Sequence, residues 1–163
     1  MTPKQIIEFR LMPALRECHL HQRRIDYALS QLEGKLPLTA AHWSNLDDET
    51  VADIDQLLFR YNKLQDAMGQ RLFPGILRAA AEWQDDEAFI DKLNRLEKLK
   101  AIPSAEQWME LRAIRNRMTH EYPNAPKRNA ENLGKLIDSI SLLKDALSQA
   151  EAYAQSLATR LKA

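Results

Sequence analysis

Residues 127–160 read KRNAENLGKLIDSISLLKDALSQAEAYAQSLATR, and this stretch decides the fold class. Apolar side chains recur along it every three or four residues, which is close to a heptad repeat. They are Leu133, Ile137, Ile140, Leu143, Leu147, Ala150, Ala154 and Leu157, and Leu161 continues the pattern just after the stretch. This spacing gathers them on one side of an α-helix, which would be about 50 Å long. The stretch therefore predicts a bundle in which one long helix packs lengthwise against other helices.

The preceding segments repeat the helical spacing. We predict helices over residues 4–11, 14–33, 48–72 and 86–100, and a further helix that starts at Ser104 or Ala105. Pro13 interrupts or restarts the leading helix, and Pro74 with Gly75 predicts a kink or break near Phe73. Residues 35–45 read as a connecting loop with room for one helical turn. The sequence predicts one domain over 1–163, an all-α, mostly antiparallel up-and-down bundle of four to six helices.

Composition narrows the class of function. The 23 basic and 23 acidic side chains cancel, which argues against a general nucleic-acid coat protein. Any RNA binding must come from a local basic patch, or from one created by pairing two subunits. The single cysteine, Cys18, fits a reducing compartment, and the opening residues MTPKQIIEFR lack the apolar core of a signal peptide. No apolar run approaches the roughly 20 residues that span a bilayer. We expect a cytoplasmic protein without membrane association.

The stretch Leu111 to Pro123, LRAIRNRMTHEYP, departs from ordinary amphipathic helix. It gathers the polar side chains of Arg112, Arg115, Asn116, Arg117, His120 and Tyr122 before proline stops the helix. Arg115 falls on the side of the helix that should face the core. A guanidinium there is costly unless it is paired or opens on a polar cleft. The alternative is that Ile114 fills this position and Arg115 extends outward.

Two pairs of side chains in this stretch share a helix face. Asn116 and His120 are four residues apart, and Arg115 and Tyr122 are seven apart. Arg115 and His120 differ by about 140° around an ideal helix. They can meet at one phosphate only if the arginine reaches across or if the last turn before Pro123 is distorted.

These residue types suit cleavage of RNA without a metal. A histidine such as His120 can act as the base or the acid near neutral pH. An arginine such as Arg115 can hold a phosphate and stabilise the charge that grows in the transition state. One histidine does not easily serve as base and acid at once, so a dimer with two copies of the stretch would complete the site.

Other polar residues have two open interpretations. Arg60, Lys63 and Asp66 line the same cleft or belong to a solvated helix surface. Lys127 and Arg128 either bind the RNA backbone or are ordinary surface residues of the next helix. The same surface interpretation applies to His19 and His21, which point in nearly opposite directions on a helix and do not suit a shared metal. The sequence also shows no carboxylate cluster, no Cys/His ligand set and no glycine-rich phosphate loop, so we predict no metal site and no cofactor.

The spacing Arg115-x4-His120, with Asn116 directly after the arginine, resembles the signature of the HEPN superfamily. With Tyr122 it extends to the Arg-x4-His-x-Tyr form of the HepT-like toxins. The resemblance implies a HEPN-like bundle and a homodimer with its two motifs facing each other. It also implies metal-independent endoribonuclease activity, in which Arg115 and His120 are catalytic and Asn116 orients or polarises the reacting groups.

The resemblance also implies how such a toxin is silenced. A partner nucleotidyltransferase, the antitoxin, would attach AMP to Tyr122. Arg112, Arg117, Lys127 and Arg128 are then candidates for binding RNA or nucleotide. The alternative function is a non-catalytic subunit that binds nucleotide or substrate for a nucleotidyltransferase. A third possibility is a helical interaction module whose arginines only form ion pairs.

Overall fold

The computed structural model describes residues 1–119, 122 and 124–162, and this part of the chain is helical with no strand. In chain order the elements are α1 (Pro3–Ile6), π1 (Ile7–Leu11), α2 (Met12–Leu32), α3 (Ala40–Ser44), α4 (Asp48–Ala67), π2 (Met68–Leu72), α5 (Phe73–Ala79), α6 (Phe89–Lys98), α7 (Ala105–Thr119) and α8 (Pro126–Lys162). Because α1, π1 and α2 are continuous, as are α4, π2 and α5, the described elements form six helices. The predicted all-α bundle is confirmed.

The two π turns accommodate the two prolines that the sequence placed inside helical patterns. Pro13 and Pro74 are each the second residue of the α-helix that resumes after a π turn. Just before each proline, an N–H donates five residues back, from Met12 to Ile7 and from Phe73 to Met68. A proline ring crowds the carbonyl four residues earlier, and the wider π turn removes that crowding. The predicted break near Phe73 is wrong, because α4, π2 and α5 form one continuous helix; the irregularity at this place is a change of hydrogen-bond pattern.

Paired side chains fix the directions of the helices. Glu17 of α2 contacts Arg71, whereas His21 contacts Arg60, so residue numbers rise along α2 as they fall along α4 and π2. The helix α8 is antiparallel to α2 in the same way, through the pairs His19–Glu151 and Asp26–Lys144. These contacts confirm the mostly antiparallel arrangement.

The apolar stripe of α8 forms one side of the core. Its members from Leu133 to Leu157 are buried except Ile137, which is half-buried, and Leu161 is 41% exposed. Between α4 and α8, the hydroxyl groups of Tyr61 and Ser139 form a buried hydrogen bond of 2.8 Å. Burial raises the pKa of Tyr61 above its usual value. The long C-terminal helix is thus packed as its heptad spacing predicted.

Two titratable residues of α2 lie inside the bundle. Cys18 is fully buried, and burial raises the pKa of its thiol to about 12. His21 is also buried, and its Nδ1 lies 3.1 Å from Nη1 of Arg60. Burial lowers the pKa of His21, which suits a neutral ring that accepts a hydrogen bond from the guanidinium. The prediction of a solvated position is wrong for His21, whereas His19 is exposed.

Among the described residues, none of the helices combines the length and the apolar character that a bilayer crossing requires.

Candidate functional site

The helix α7 begins where its capping signal predicted. The hydroxyl oxygen of Ser104 accepts a hydrogen bond of 3.0 Å from the N–H of Gln107. The carboxylate of Glu97 accepts the N–H of Ala105 at 2.8 Å. Two of the otherwise unpaired N–H groups of the first turn are therefore satisfied, and the helix entry is fixed relative to α6.

The inner side of α7 carries both an apolar and a charged residue. Trp108 and Leu111 are buried, and Ile114 packs partly buried against the core. Arg115 is also half-buried, with 26% of its side chain exposed. Each alternative is met in part. Ile114 packs on the apolar side of the helix, and Arg115 lines a polar cleft.

The guanidinium of Arg115 is held by Asp66 of α4. Its Nη1 and Nη2 donate to the two carboxylate oxygens of Asp66, the second over 3.4 Å. Nη1 also lies 3.5 Å from Oε1 of Gln65. A two-point ion pair fixes the plane of the guanidinium as well as its position. Arg115, on the side of α7 that faces the core, is therefore paired, as the sequence analysis required.

A cleft of about 460 Å³, which we call the α7 cleft, opens beside this ion pair. Its lining comes from α4, π2, α6 and α7 and consists of Gln65, Asp66, Gly69, Gln70, Phe89, Trp108, Arg112, Arg115 and Asn116. Three predicted site residues, Arg112, Arg115 and Asn116, thus meet in one place. The guanidinium of Arg112 lies 5.2 Å from the ring centroid of Phe89. Two cations and an amide face the same space.

Other predicted residues lie elsewhere. Arg117 and Lys127 are exposed and do not line the α7 cleft. The guanidinium of Arg128 lies 4.3 Å from the ring centroid of Tyr122, so it belongs to the turn between α7 and α8. Of the three polar residues that sequence analysis named on α4, Asp66 lines the cleft. The guanidinium carbon of Arg60 and the Nζ of Lys63 lie 5.4 and 5.5 Å from the ring centroid of Phe59, which is exposed. The solvated-surface interpretation therefore fits Lys63, whereas Arg60 is half-buried against His21 and Asp66 lines the cleft.

Both backbone groups of Tyr122 form hydrogen bonds with one side chain of α8. The Oδ1 of Asn129 accepts the Tyr122 N–H at 3.3 Å, and its Nδ2 donates to the Tyr122 carbonyl at 3.0 Å. Asn129 is only 5% exposed. This double hydrogen bond fixes the backbone at Tyr122 from a position that sequence analysis did not single out.

We expect the Asn129→Ala substitution to lower the free energy of unfolding by about 1–2 kcal/mol, because both backbone groups of Tyr122 lose a partner. Urea unfolding followed by circular dichroism measures the change. Asn94→Ala is the matched control, since Asn94 is exposed on α6 and its loss should change the stability by less than about 0.5 kcal/mol. Equal unfolding midpoints for the two variants would show that the two hydrogen bonds of Asn129 do not stabilise the fold.

His120, Glu121 and Pro123 lie outside the described residues. The catalytic role of His120, the face it shares with Asn116 and its meeting with Arg115 therefore stay predictions, as does the end of the helix at Pro123. Within the described ranges, no three His, Cys, Asp or Glu side chains come together as a metal site.

Sequence analysis did not single out Gln65, Gly69 and Phe89 as part of the site. Gln65 and Gly69 come from the α4–π2 helix and Phe89 from α6, far from the motif in sequence. Their distance along the chain leaves no local signal of proximity. Comparison of the chain with models of protein families, with curated proteins and with solved structures finds no match.

Proposed function

We propose that this protein is a cytoplasmic, metal-independent endoribonuclease of the HEPN superfamily, the toxin of a toxin–antitoxin pair with a nucleotidyltransferase. The all-α bundle, with the motif at the end of a late helix, agrees with that resemblance. Arg115 and His120 are the proposed catalytic residues, and Asn116 orients the reacting groups. The proposal needs no cofactor.

One observation carries the proposal: Arg115, Asn116 and Arg112 line one cleft, and Asp66 fixes the guanidinium of Arg115. A guanidinium has five N–H groups. Asp66 accepts two of those of Arg115 and Gln65 lies near a third, which leaves two for a phosphate. A cation held in place before substrate arrives stabilises transition-state charge without reorganising during the reaction.

A homodimer would complete this site. The stretch 110–128 holds five Lys or Arg against two Glu, so pairing two copies concentrates positive charge that the neutral whole chain lacks. Two copies also supply two histidines, one as the base for the ribose 2′-hydroxyl and one as the acid for the leaving oxygen.

Tyr122 is the proposed site of AMP attachment by the antitoxin. Its ring lies against the guanidinium of Arg128, beside the end of α7. Attached AMP would bring bulk and a negative phosphate to the cations that hold RNA. Modification would therefore block the substrate phosphate by charge and by size.

The test is cleavage of tRNA and mRNA by purified protein in the presence of EDTA, with the dimer measured by light scattering. We expect cleavage, and we expect His120→Ala to slow it by about a hundredfold or more. His19→Ala is the matched control, because His19 is an exposed residue of α2 that pairs with Glu151. A sound dimer that leaves both RNAs intact, or a His120→Ala variant that cuts equally well, overturns the proposal.

The size of the α7 cleft supports a second candidate function. A volume of about 460 Å³ with two arginines suits a bound nucleotide as well as an RNA phosphate. The protein would then be a non-catalytic subunit that presents nucleotide or substrate to a nucleotidyltransferase. Calorimetric binding of ATP or AMP that Arg115→Ala abolishes, without any RNA cleavage, would favour this candidate.

A further inference from the structure

A second groove, of about 430 Å³, lies between the two helices that contain a proline, and we call it the proline groove. Its inner residues are Pro13 and Ala14 of α2 and Pro74 and Gly75 of α5, all of which are buried or half-buried. A Cβ atom at Gly75 would lie 3.4 Å from Cδ1 of Leu11, so the two helices approach each other closely here. Small side chains and proline rings cover this contact, and they leave the groove open.

The two π turns supply the exposed edges of the proline groove. Phe9 and Arg10 belong to π1, and Gln70 and Arg71 belong to π2. All four residues are exposed, and the aromatic residue Phe9 is 59% exposed. Single π turns inside α-helices occur frequently at functional sites. In the described part of the chain, both π turns therefore place exposed side chains along one groove.

Positive charge surrounds the proline groove. Its lining contains three arginines, Arg10, Arg71 and Arg78, and one carboxylate, that of Glu17. Nε and Nη2 of Arg71 each donate to an oxygen of Glu17 over 2.9 Å, so this carboxylate is already bound. Among the described residues, neither Arg10 nor Arg78 forms an ion pair. In a chain whose charges cancel overall, the groove thus presents two guanidinium groups to an anionic partner.

Trp83 restricts the position of one of these guanidinium groups. The guanidinium of Arg78 lies 4.0 Å from the ring centroid of Trp83, and the indole Nε1 donates to Asp85 over 2.7 Å. A guanidinium that lies against an aromatic ring still presents its N–H groups in its own plane, where a carboxylate binds. A cation that is held before its partner arrives loses less freedom on binding. Arg78 is therefore suited to receive a carboxylate.

The inner residues of the proline groove distinguish a protein partner from a nucleic acid. Their side chains are two proline rings, one methyl group and one hydrogen, and none of these donates or accepts a hydrogen bond. The edge of a nucleic-acid base needs such groups for its recognition, whereas an apolar side chain does not. Arginine and aromatic residues are also enriched at interfaces between proteins. The groove therefore matches an apolar side chain that stands between carboxylates.

We propose that the proline groove binds an acidic segment of a protein partner. An apolar side chain of this segment packs against the two proline rings and Phe9, and flanking Asp or Glu carboxylates pair with Arg10 and Arg78. The proline groove shares only Gln70 with the lining of the α7 cleft, so the bound segment lies beside the candidate site and not in it. This inference goes beyond the proposed function and does not depend on it.

Selection of short random peptides, displayed on phage, on the purified protein tests the groove. We expect the selected peptides to share Asp or Glu on both sides of an apolar residue. Fluorescence anisotropy then measures the affinity of the labelled consensus peptide. A version with Asn and Gln in place of Asp and Glu should bind about tenfold or more weakly, because its hydrogen bonds to arginine lose their charge. Added salt should also weaken binding of the consensus peptide.

Two substitutions at exposed positions locate the binding site. Arg10→Glu should weaken binding of the consensus peptide about tenfold or more, because it places a like charge beside the carboxylates. Its matched control is Arg23→Glu, at an exposed position of α2 outside the groove, which should leave the affinity nearly unchanged. Phe9→Ser should weaken binding severalfold, whereas Phe59→Ser, its control at an exposed position of α4, should not. Circular dichroism confirms the fold of each variant.

A selection that yields no acidic consensus overturns the proposal, as does a consensus peptide that binds Arg10→Glu and Phe9→Ser as tightly as the unmodified protein. Oligouridine RNA that displaces the peptide and binds more tightly, with the same dependence on Arg10, also overturns it in favour of a nucleic-acid surface. None of these measurements involves cleavage. Absence of RNA cleavage therefore counts against the ribonuclease function alone, and absence of peptide binding counts against the proline groove alone.

Discussion

Replacing Arg115 with lysine is expected to slow RNA cleavage by about a hundredfold or more, with little effect on folding. A lysine keeps the positive charge but cannot hold both oxygens of Asp66 and a phosphate in one plane. Removal of one preorganised charge-stabilising donor costs about 10²–10³ in rate in other enzymes. The measurement is the single-turnover cleavage rate of a labelled RNA, with circular dichroism to confirm the fold.

Arg160→Lys is the matched control for this substitution. Arg160 is exposed near the end of α8, where it contacts the ring of Tyr153, away from the α7 cleft. Its replacement should leave the rate unchanged. If Arg115→Lys cleaves as fast as Arg160→Lys, the paired guanidinium serves structure alone and the catalytic role of Arg115 is wrong.

The substitution Phe73→Ala is expected to lower the free energy of unfolding by about 3–5 kcal/mol. Phe73 is 1% exposed, and its ring meets that of Trp108 edge to face with centroids 4.7 Å apart. Its removal leaves a cavity beside Trp108, which lines the α7 cleft, and loses the contact between the two rings. Urea unfolding gives the change in stability.

Phe59→Ala makes the same chemical change at an exposed position. Phe59 is 52% exposed on α4, so its loss should destabilise the protein by less than about 1 kcal/mol. Similar losses of stability in the two variants would mean that the core beside the cleft is not packed as described. A large loss confined to Phe73→Ala would confirm that packing.

Local spacing was enough to predict the helices. The heptad stripe of α8 lies buried along most of its length, and the capping signal at Ser104 marks the start of α7. Pro74 indicated an irregularity near Phe73, but the structure has a π turn within a continuous helix where a kink or break was predicted. Each of these features depends on residues within a few turns of one another, and the sequence displays such neighbours directly.

The candidate site could be predicted only in part. The motif on α7 identified Arg115, Asn116 and Arg112, and these do line one cleft. The carboxylate that holds Arg115 belongs to Asp66, on another helix, and was left as one of two alternatives. The burial of His21 could not be predicted either, because its contact with Arg60 depends on how α2 packs against α4.

The sequence by itself determined the all-α class, the start of α7 and the cluster of cations on α7, because these follow from spacing along one helix. Only the tertiary structure decided that Arg115 is paired with Asp66 and that Gln65, Gly69 and Phe89 line the same cleft. It also decided that the side chain of Asn129 forms hydrogen bonds with the backbone of Tyr122. The physical reason is that a helix presents several faces. Which of them meets a given neighbour depends on packing among residues far apart in the chain.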